Sequence, residues 1–246
     1  MVHLEVTNAT FTYPEAKYPA LNHVSFRVLE GSFTLLCGTS GCGKTTLLRM
    51  LKPEIRPHGS YSGKMMYQGE ELSEAVSSEI GIIFQDPDYQ IVMEDVQYEL
   101  SFGMENLGLA SEVMRKRLAE IVQFFDLEHL LLRKTDQLSG GEKQLLNLAS
   151  VLLMQPKILL LDEPTAQLDP ISSRQLLQML QRLNQEWGLT IVLVEHRLDE
   201  LLPIVDQVLF LQKGHLQLCG TPAYVIEQLW KRSEELHPFI PTIPKM

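Results

Sequence analysis

Hydrophobic and polar positions alternate along His3–Phe11 and again along Asn22–Val28. A period of two, with β-branched and aromatic residues on the apolar side, predicts half-buried antiparallel strands. Four later segments lack that alternation. Ser32–Cys37, Ile158–Leu161, Thr190–Val194 and Val208–Leu211 are short, continuous apolar runs. Such runs predict central strands covered on both faces, as in a parallel α/β sheet.

Helical periodicity fills the spaces between. Thr45–Leu51 follows a glycine-rich turn and stops before Pro53. Ser111–Phe125 gathers Leu118, Ile121, Val122 and Phe125 on one face. Ser139 precedes a run from Gly140 to Met154, and Ser172–Trp187 places Leu176, Leu177, Leu180 and Leu183 at helical spacing before Gly188. These stripes predict core-facing surfaces. The order is strands first, a mostly helical insert over about 86–155, then strands alternating with helices. His237–Met246 holds three prolines, which excludes a regular helix and predicts an extended or loosely docked tail.

Composition narrows the function classes. The chain has 246 residues and a formal net charge of −10. That length suits one large domain with a subdomain, and the charge argues against a nucleic-acid binder, whose footprint would be basic. Cys37, Cys42 and Cys219 form neither a CxxC pair nor a His/Cys cluster, so a zinc site or disulfide framework is not suggested. No apolar run approaches the roughly 18 residues of a membrane span, and Met1–Glu5 lacks the start of a signal peptide. A soluble protein is therefore expected, one that would act at a membrane only through a partner.

The strongest chemical signal is Gly38-Thr39-Ser40-Gly41-Cys42-Gly43-Lys44-Thr45, followed by Thr46. It matches G-x-x-x-x-G-K-[ST] and lies between an apolar strand and a helix. Glycines without Cβ let the loop wrap a phosphate and aim its backbone N–H groups inward, and the helix adds its positive dipole end. Lys44 would reach the β- and γ-phosphates, and the Thr45 hydroxyl would ligate Mg²⁺. The strand Ile158–Leu161 runs into Asp162 and Glu163, placed to hold the Mg²⁺ shell and to orient or deprotonate the attacking water. Cys42, at a helix N-terminus, is expected to favour the thiolate and be sensitive to alkylation.

A second glycine turn, Leu138–Gln144, comes 18 residues before Asp162. Ser139 and Glu142 have capping-box spacing, and Gly140 and Gly141 leave backbone N–H groups bare for an anion. With the phosphate loop and the Leu-Leu-Leu-Asp-Glu-Pro strand, this turn resembles the signature of the nucleotide-binding domain of an ATP-binding cassette (ABC) transporter. The resemblance runs from about Leu4 to Val225. It implies a P-loop NTPase of the α/β class: a RecA-like mixed sheet core over about 1–85 and 156–225, an antiparallel β subdomain, and an inserted α-helical subdomain over about 86–155. A C-terminal extension covers 226–246.

The same resemblance supplies further roles. Tyr13 is placed like the aromatic that stacks on adenine. Gln85 matches the Q-loop glutamine, which contacts Mg²⁺ and senses a membrane partner. Ala166–Asp169 corresponds to the D-loop, and His196 to the switch histidine at the γ-phosphate. Two such domains face head to tail, so Ser139, Gly140, Gly141 and Glu142 of one chain would bind ATP held by the other. Leu145 and Gln167 depart from the usual residues at their positions. Phe84–Ile91 and Tyr98–Gly108 are more narrowly similar to the ATPase subunits of energy-coupling-factor (ECF) importers, which take up vitamins or transition-metal ions. That implies a transmembrane coupling subunit and a substrate-binding membrane subunit as partners, no nucleic acid, a homodimer or a heterodimer with a related ATPase, and a peripheral position on the cytoplasmic face of the membrane. Tyr89, Ile91, Val92, Met93 and Tyr98 would line the groove for the membrane subunit. The alternatives are a non-transport ABC ATPase in DNA repair, chromosome maintenance or translation, and a small-molecule kinase. The gap between loop and signature holds no heptads or cysteine clusters, and the signature turn has no purpose in a kinase.

Overall fold

The computed structural model describes residues 1–231 except 197, so the proline-rich tail expected at His237–Met246 lies outside the described residues. In chain order the strands are β1 Val2–Thr12, β2 Leu21–Leu29, β3 Phe33–Gly38, β4 Ser60–Tyr67, β5 Glu70–Glu71, β6 Ile80–Ile83, β7 Ile158–Asp162, β8 Thr190–Val194, β9 Gln207–Gln212 and β10 His215–Gly220. The helices are α1 Lys44–Met50, α2 Val96–Asn106, α3 Ser111–Phe125, α4 Gly140–Leu153, α5 Pro170–Trp187, α6 Leu198–Leu201 and α7 Pro222–Lys231.

Two sheets form. One is antiparallel, in the order β2-β1-β4-β5; the other is mixed, in the order β10-β9-β3-β8-β7-β6. In the second sheet every neighbouring pair from β9 to β6 is parallel, and only β10 runs antiparallel, on β9. The continuous apolar runs have a direct consequence here. Leu36, Ile158, Leu160, Val192, Val194, Leu209 and Leu211 pack into one core with β1, β2 and α1. Their alternates Leu35, Cys37, Leu159, Leu161, Ile191, Leu193 and Phe210 pack into a second core with α2, α3, α4 and α5. Successive side chains of a strand point to opposite faces, so only a run apolar at every position can serve two cores.

The helical stripes face inward as expected: Leu176, Leu177, Leu180 and Leu183 are buried on α5, and Ile121, Val122 and Phe125 on α3, with Leu118 half-buried. Helix α5 starts two residues before Ser172. The Asp169 carboxylate accepts N–H bonds from Ile171 at 2.9 Å and Ser172 at 3.1 Å, and Pro170 occupies the first turn, where its missing N–H costs nothing. Strands β4, β6 and β10 and helices α2 and α7 carry weaker patterns. The first five positions of β4 are exposed, and β6 is only four residues long. Helix α7 buries Val225 and Leu229 and continues past residue 225 as one element.

Leu160 is fully buried at the centre of the parallel sheet. Leu160→Ala is expected to cost about 3 kcal/mol, from the removed methyl groups plus an unfilled cavity. Urea unfolding should show a lower midpoint at unchanged slope; a loss under about 1 kcal/mol would mean that this face is not close-packed.

Candidate active site

Parallel strands end together, so β3, β6, β7 and β8 deliver their carboxyl ends to one edge. There the chain places Gly38 to Thr46 after β3, Gln85 just beyond β6, Asp162 and Glu163 at the end of β7, and Glu195 and His196 after β8. Residues up to 160 apart in sequence thus share one rim.

The loop after β3 is held by its glycines. Gly38, Gly41 and Gly43 have φ of 147°, 72° and 105°. A Cβ on Gly38 would lie 1.9 Å from the Leu211 carbonyl oxygen, and one on Gly43 would lie 2.5 Å from that of Ala20. Only glycine fits either position, because conformation and space both forbid a side chain. Lys44 is buried, and its Nζ donates to the carbonyls of Gly38 at 3.2 Å and Thr39 at 3.3 Å. The ammonium is therefore stretched back along the loop rather than out to solvent. Thr39 is half-buried, and Ser40 and Gly41 are exposed at the tip.

Thr45 Oγ1 donates to Asp162 Oδ1 at 3.0 Å. Burial pushes the Asp162 carboxyl up from its ordinary value, and this outweighs the opposing hydrogen bond from Thr45. A hydroxyl beside a buried carboxylate is a donor set that fits Mg²⁺, which prefers hard oxygens and takes only one or two carboxylates when phosphate supplies the rest. Among the described residues no group of three or more His, Cys, Asp or Glu could cage a metal. Gln85 is exposed at the exit of β6. Its loop is fastened to α4, since Lys143 Nζ donates to Asp88 at 2.6 Å and Asn147 Nδ2 to the Pro87 carbonyl at 3.0 Å.

Glu163 and His196 meet directly, with Oε1 2.8 Å from Nε2. Glu163 sits in the left-handed region at φ 49°, which turns its carboxylate off the strand. Tyr13 is partly exposed; its hydroxyl is 3.0 Å from Thr46 Oγ1, and its ring meets Phe11 edge-on at 4.9 Å. An open ring face anchored beside the loop is what a base could stack on.

Cys42 corrects an expectation. It is 3% exposed and belongs to the core under the antiparallel sheet. Burial raises its thiol pKa, and the nearby Lys44 charge and helix N–H groups do not compensate. The helix start favours a thiolate only where the sulfur stays near solvent, so Cys42 would contribute its backbone N–H rather than a reactive sulfur.

The second glycine turn stands apart. No hydrogen bond or ion pair among the described residues joins Ser139–Glu142 to the loop at Gly38–Thr46. Ser139 caps α4 by accepting the Glu142 N–H at 3.3 Å, while Glu142 accepts the Ser139 N–H and hydroxyl, each at 2.7 Å. Those bonds hold the Glu142 carboxyl below its usual range. Ser139 and Gly140 are exposed, and a Cβ on Gly140 would meet only the Gln167 carbonyl, at 3.9 Å. Gly141 is half-buried, and a Cβ on it would lie 3.0 Å from Ser172 Oγ, so the part of this helix tip open to a neighbouring molecule is Ser139 and Gly140. Leu145 is half-buried against the helical core, and Gln167 is exposed.

A family model for ABC transporters matches residues 21–166, which include the loop, the second glycine turn and the Asp162–Glu163 strand end. The chain belongs to the ABC transporter ATP-binding family. An ABC transporter ATP-binding protein of Bacillus cereus is 47% identical over 250 residues, a match covering 100% of this chain and 45% of that protein. One of Methanosarcina acetivorans is 40% identical over 222 residues, covering 87% and 34%. The chain thus spans less than half the length of these curated relatives. Among solved ABC structures, cbiO1 from Clostridium perfringens, part of the ABC transporter complex cbiONQ, superposes with a TM-score of 0.82 at 30% identity, covering 96% of this chain and 97% of that one. A dimeric post-hydrolysis ATP-binding cassette bound to ADP and Pi superposes with a TM-score of 0.75 at 27% identity, covering 89% and 98%.

Sequence reasoning passed over two residues of this edge. Glu195 and Thr165 are buried and bonded to one another. The available signal was a single charged residue directly after the apolar run Ile191–Val194 of β8.

Iodoacetamide at pH 8 should label Cys219, which is exposed, well before Cys42. Peptide mass spectrometry reads the order, and earlier labelling of Cys42 would contradict the burial argument.

Proposed function

We propose that this chain is the ATP-hydrolysing part of an ABC membrane transporter. The observation that carries the reading is the convergence of the Thr45–Asp162 contact and the Glu163–His196 pair on one sheet edge, beside a phosphate loop that only glycine can form. ATP would sit with its base against Tyr13 and its phosphates on the N–H groups of Gly38 to Thr46. Lys44 would exchange its bonds to the Gly38 and Thr39 carbonyls for β- and γ-phosphate oxygens. Thr45, Asp162 and Gln85 would hold Mg²⁺, which neutralises phosphate charge when bound. Water attacks the γ-phosphorus, and the bond to the β–γ bridging oxygen breaks, leaving ADP. Glu163 orients the water and accepts its proton, while His196 holds the Glu163 carboxylate in place.

The exposed Ser139–Gly140 tip of α4 would face a second cassette. Head-to-tail pairing would bring it over a γ-phosphate gripped by the opposite Lys44, so ATP joins the halves and hydrolysis releases them. The length of the Bacillus cereus relative supports this, because more than half of it lies outside the match, enough for another cassette. For the membrane side, Tyr89 at 85% exposed, Val92 and Tyr98 are exposed in the segment that follows Gln85 and would offer an apolar face, with Ile91 and Met93 half-buried. No helix among the described residues is long and apolar enough to cross a membrane, so a membrane coupling subunit and its substrate-binding companion would supply the path. The likeness to cbiO1 favours an ECF-type importer of a vitamin or transition-metal ion, with this chain at the cytoplasmic face.

Two substitutions test the chemistry. Glu163→Gln should lower steady-state ATPase at least about a hundredfold while ATP binding persists, because the amide cannot take the proton. Turnover near wild type would remove Glu163 from the reaction. Lys44→Ala should weaken ATP binding at least about tenfold by calorimetry, through loss of a charge on the phosphates; unchanged affinity would count against the loop.

A further inference from the structure

Strands β7 and β8 stay in register to Asp162 and Val194, and one further backbone bond, Glu163 N–H to the Val194 carbonyl at 3.0 Å, extends the pairing. Beyond it Glu163 turns off at φ 49°, and no sheet remains to hold the two segments. The bridging group is the Glu195 carboxylate. Its Oε1 accepts the Thr165 N–H at 3.1 Å and the Thr165 hydroxyl at 2.5 Å, and its Oε2 accepts the His196 N–H at 3.1 Å. Glu195 is 4% exposed and Thr165 is 2% exposed.

We infer that Glu195 is a positioning residue for hydrolysis: its buried carboxylate clasps the turn after Glu163 to the turn that carries His196, and so sets the separation of those two side chains. The inference rests on reading Glu163 and His196 as the hydrolytic pair. An apolar residue would continue β8 without desolvating a charge, and replacing buried ionic groups by packed apolar ones is often neutral or stabilising. Glu195 is tolerable there because three donors converge on it. What those bonds secure is geometry. One oxygen grips the segment two residues after Glu163, and the other fixes the backbone of His196 itself. Thr165 also anchors the turn that follows it. The Thr165 carbonyl accepts the Leu168 N–H at 3.1 Å, and the Gln167 carbonyl between them is the atom nearest to the Cβ position of Gly140.

The test compares full-length chains by ATP binding, thermal melting and single-turnover phosphate release. Glu195→Ala should keep ATP affinity within about twofold and lower the hydrolysis rate at least about tenfold, since an ångström of misplacement costs that much or more. In a His196→Ala background the same substitution should cost less than about twofold, because contacts acting as a unit are not additive. A wild-type rate in folded, ATP-binding Glu195→Ala overturns the clasp, and so does a full tenfold loss repeated without His196. If Glu195→Ala does not fold, Thr165→Val decides. It removes one hydroxyl at constant shape, and a rate loss of about threefold or more at unchanged affinity supports the clasp, whereas an unchanged rate overturns it. An active Glu163→Gln would remove the pair and the clasp together. An inactive Glu163→Gln beside a fully active Glu195→Ala removes the clasp alone.

Discussion

The hydrogen bond from Thr45 to Asp162 joins the start of α1 to the end of β7 across 117 residues of chain. It exists because β3 and β7 are parallel members of one sheet, with β8 between them. Parallel strands must begin at one edge and finish at the other, so the loop after β3 and the carboxylates after β7 share a rim without further design. Burial of Asp162 follows from the same packing. A buried carboxylate beside a hydroxyl is poorly satisfied by that hydroxyl alone, and its raised pKa is the physical trace of this. A divalent cation would relieve it.

The same molecule also carries an anion-ready helix tip that it does not use itself. Ser139 and Glu142 satisfy each other and leave Gly140 exposed at the tip, with Gly141 half-buried beside the Ser172 side chain. One chain cannot close both ends on one nucleotide, but two can. On the proposed reading this division would make ATP a joint between bodies, and the γ-phosphate would hold or release a large motion. The bonds from Lys143 and Asn147 to the Asp88 turn fasten Gln85's loop to the helix bearing that tip. Gln85's loop and the glycine turn are thereby fastened to one helix.

Much of this was readable from residues. Apolar runs without alternation marked β3, β7, β8 and β9, because a strand between two cores can spare no position for water. That Gly38 to Thr45, Asp162 and Glu163 would share one edge was legible because phosphate and metal chemistry restrict both residue type and spacing. Cys42 was misread, since a motif gives its position at a helix start but not its depth beneath a second sheet. Glu195 was unreadable for a related reason. Its meaning depends on Thr165, thirty residues away in sequence and adjacent only once β7 and β8 are paired. Strand β4 gave little signal because five exposed positions precede Met65 and Tyr67, and α5 began early because capping by Asp169 does not show in hydrophobic spacing.

The central claim is that one hydrolytic site is built from two chains, and mixing two inactive variants tests it most directly. Ser139→Arg spoils the offered tip, and Lys44→Ala spoils the loop; in a mixed pair both lesions fall in one site and leave the other intact. ATPase assays of each variant alone and of an equimolar mixture should show two inactive proteins, and a mixture recovering about a quarter of wild-type turnover if pairs form at random. Wild-type activity of Ser139→Arg alone, or a mixture that stays inactive while mixed pairs form, would contradict the shared site.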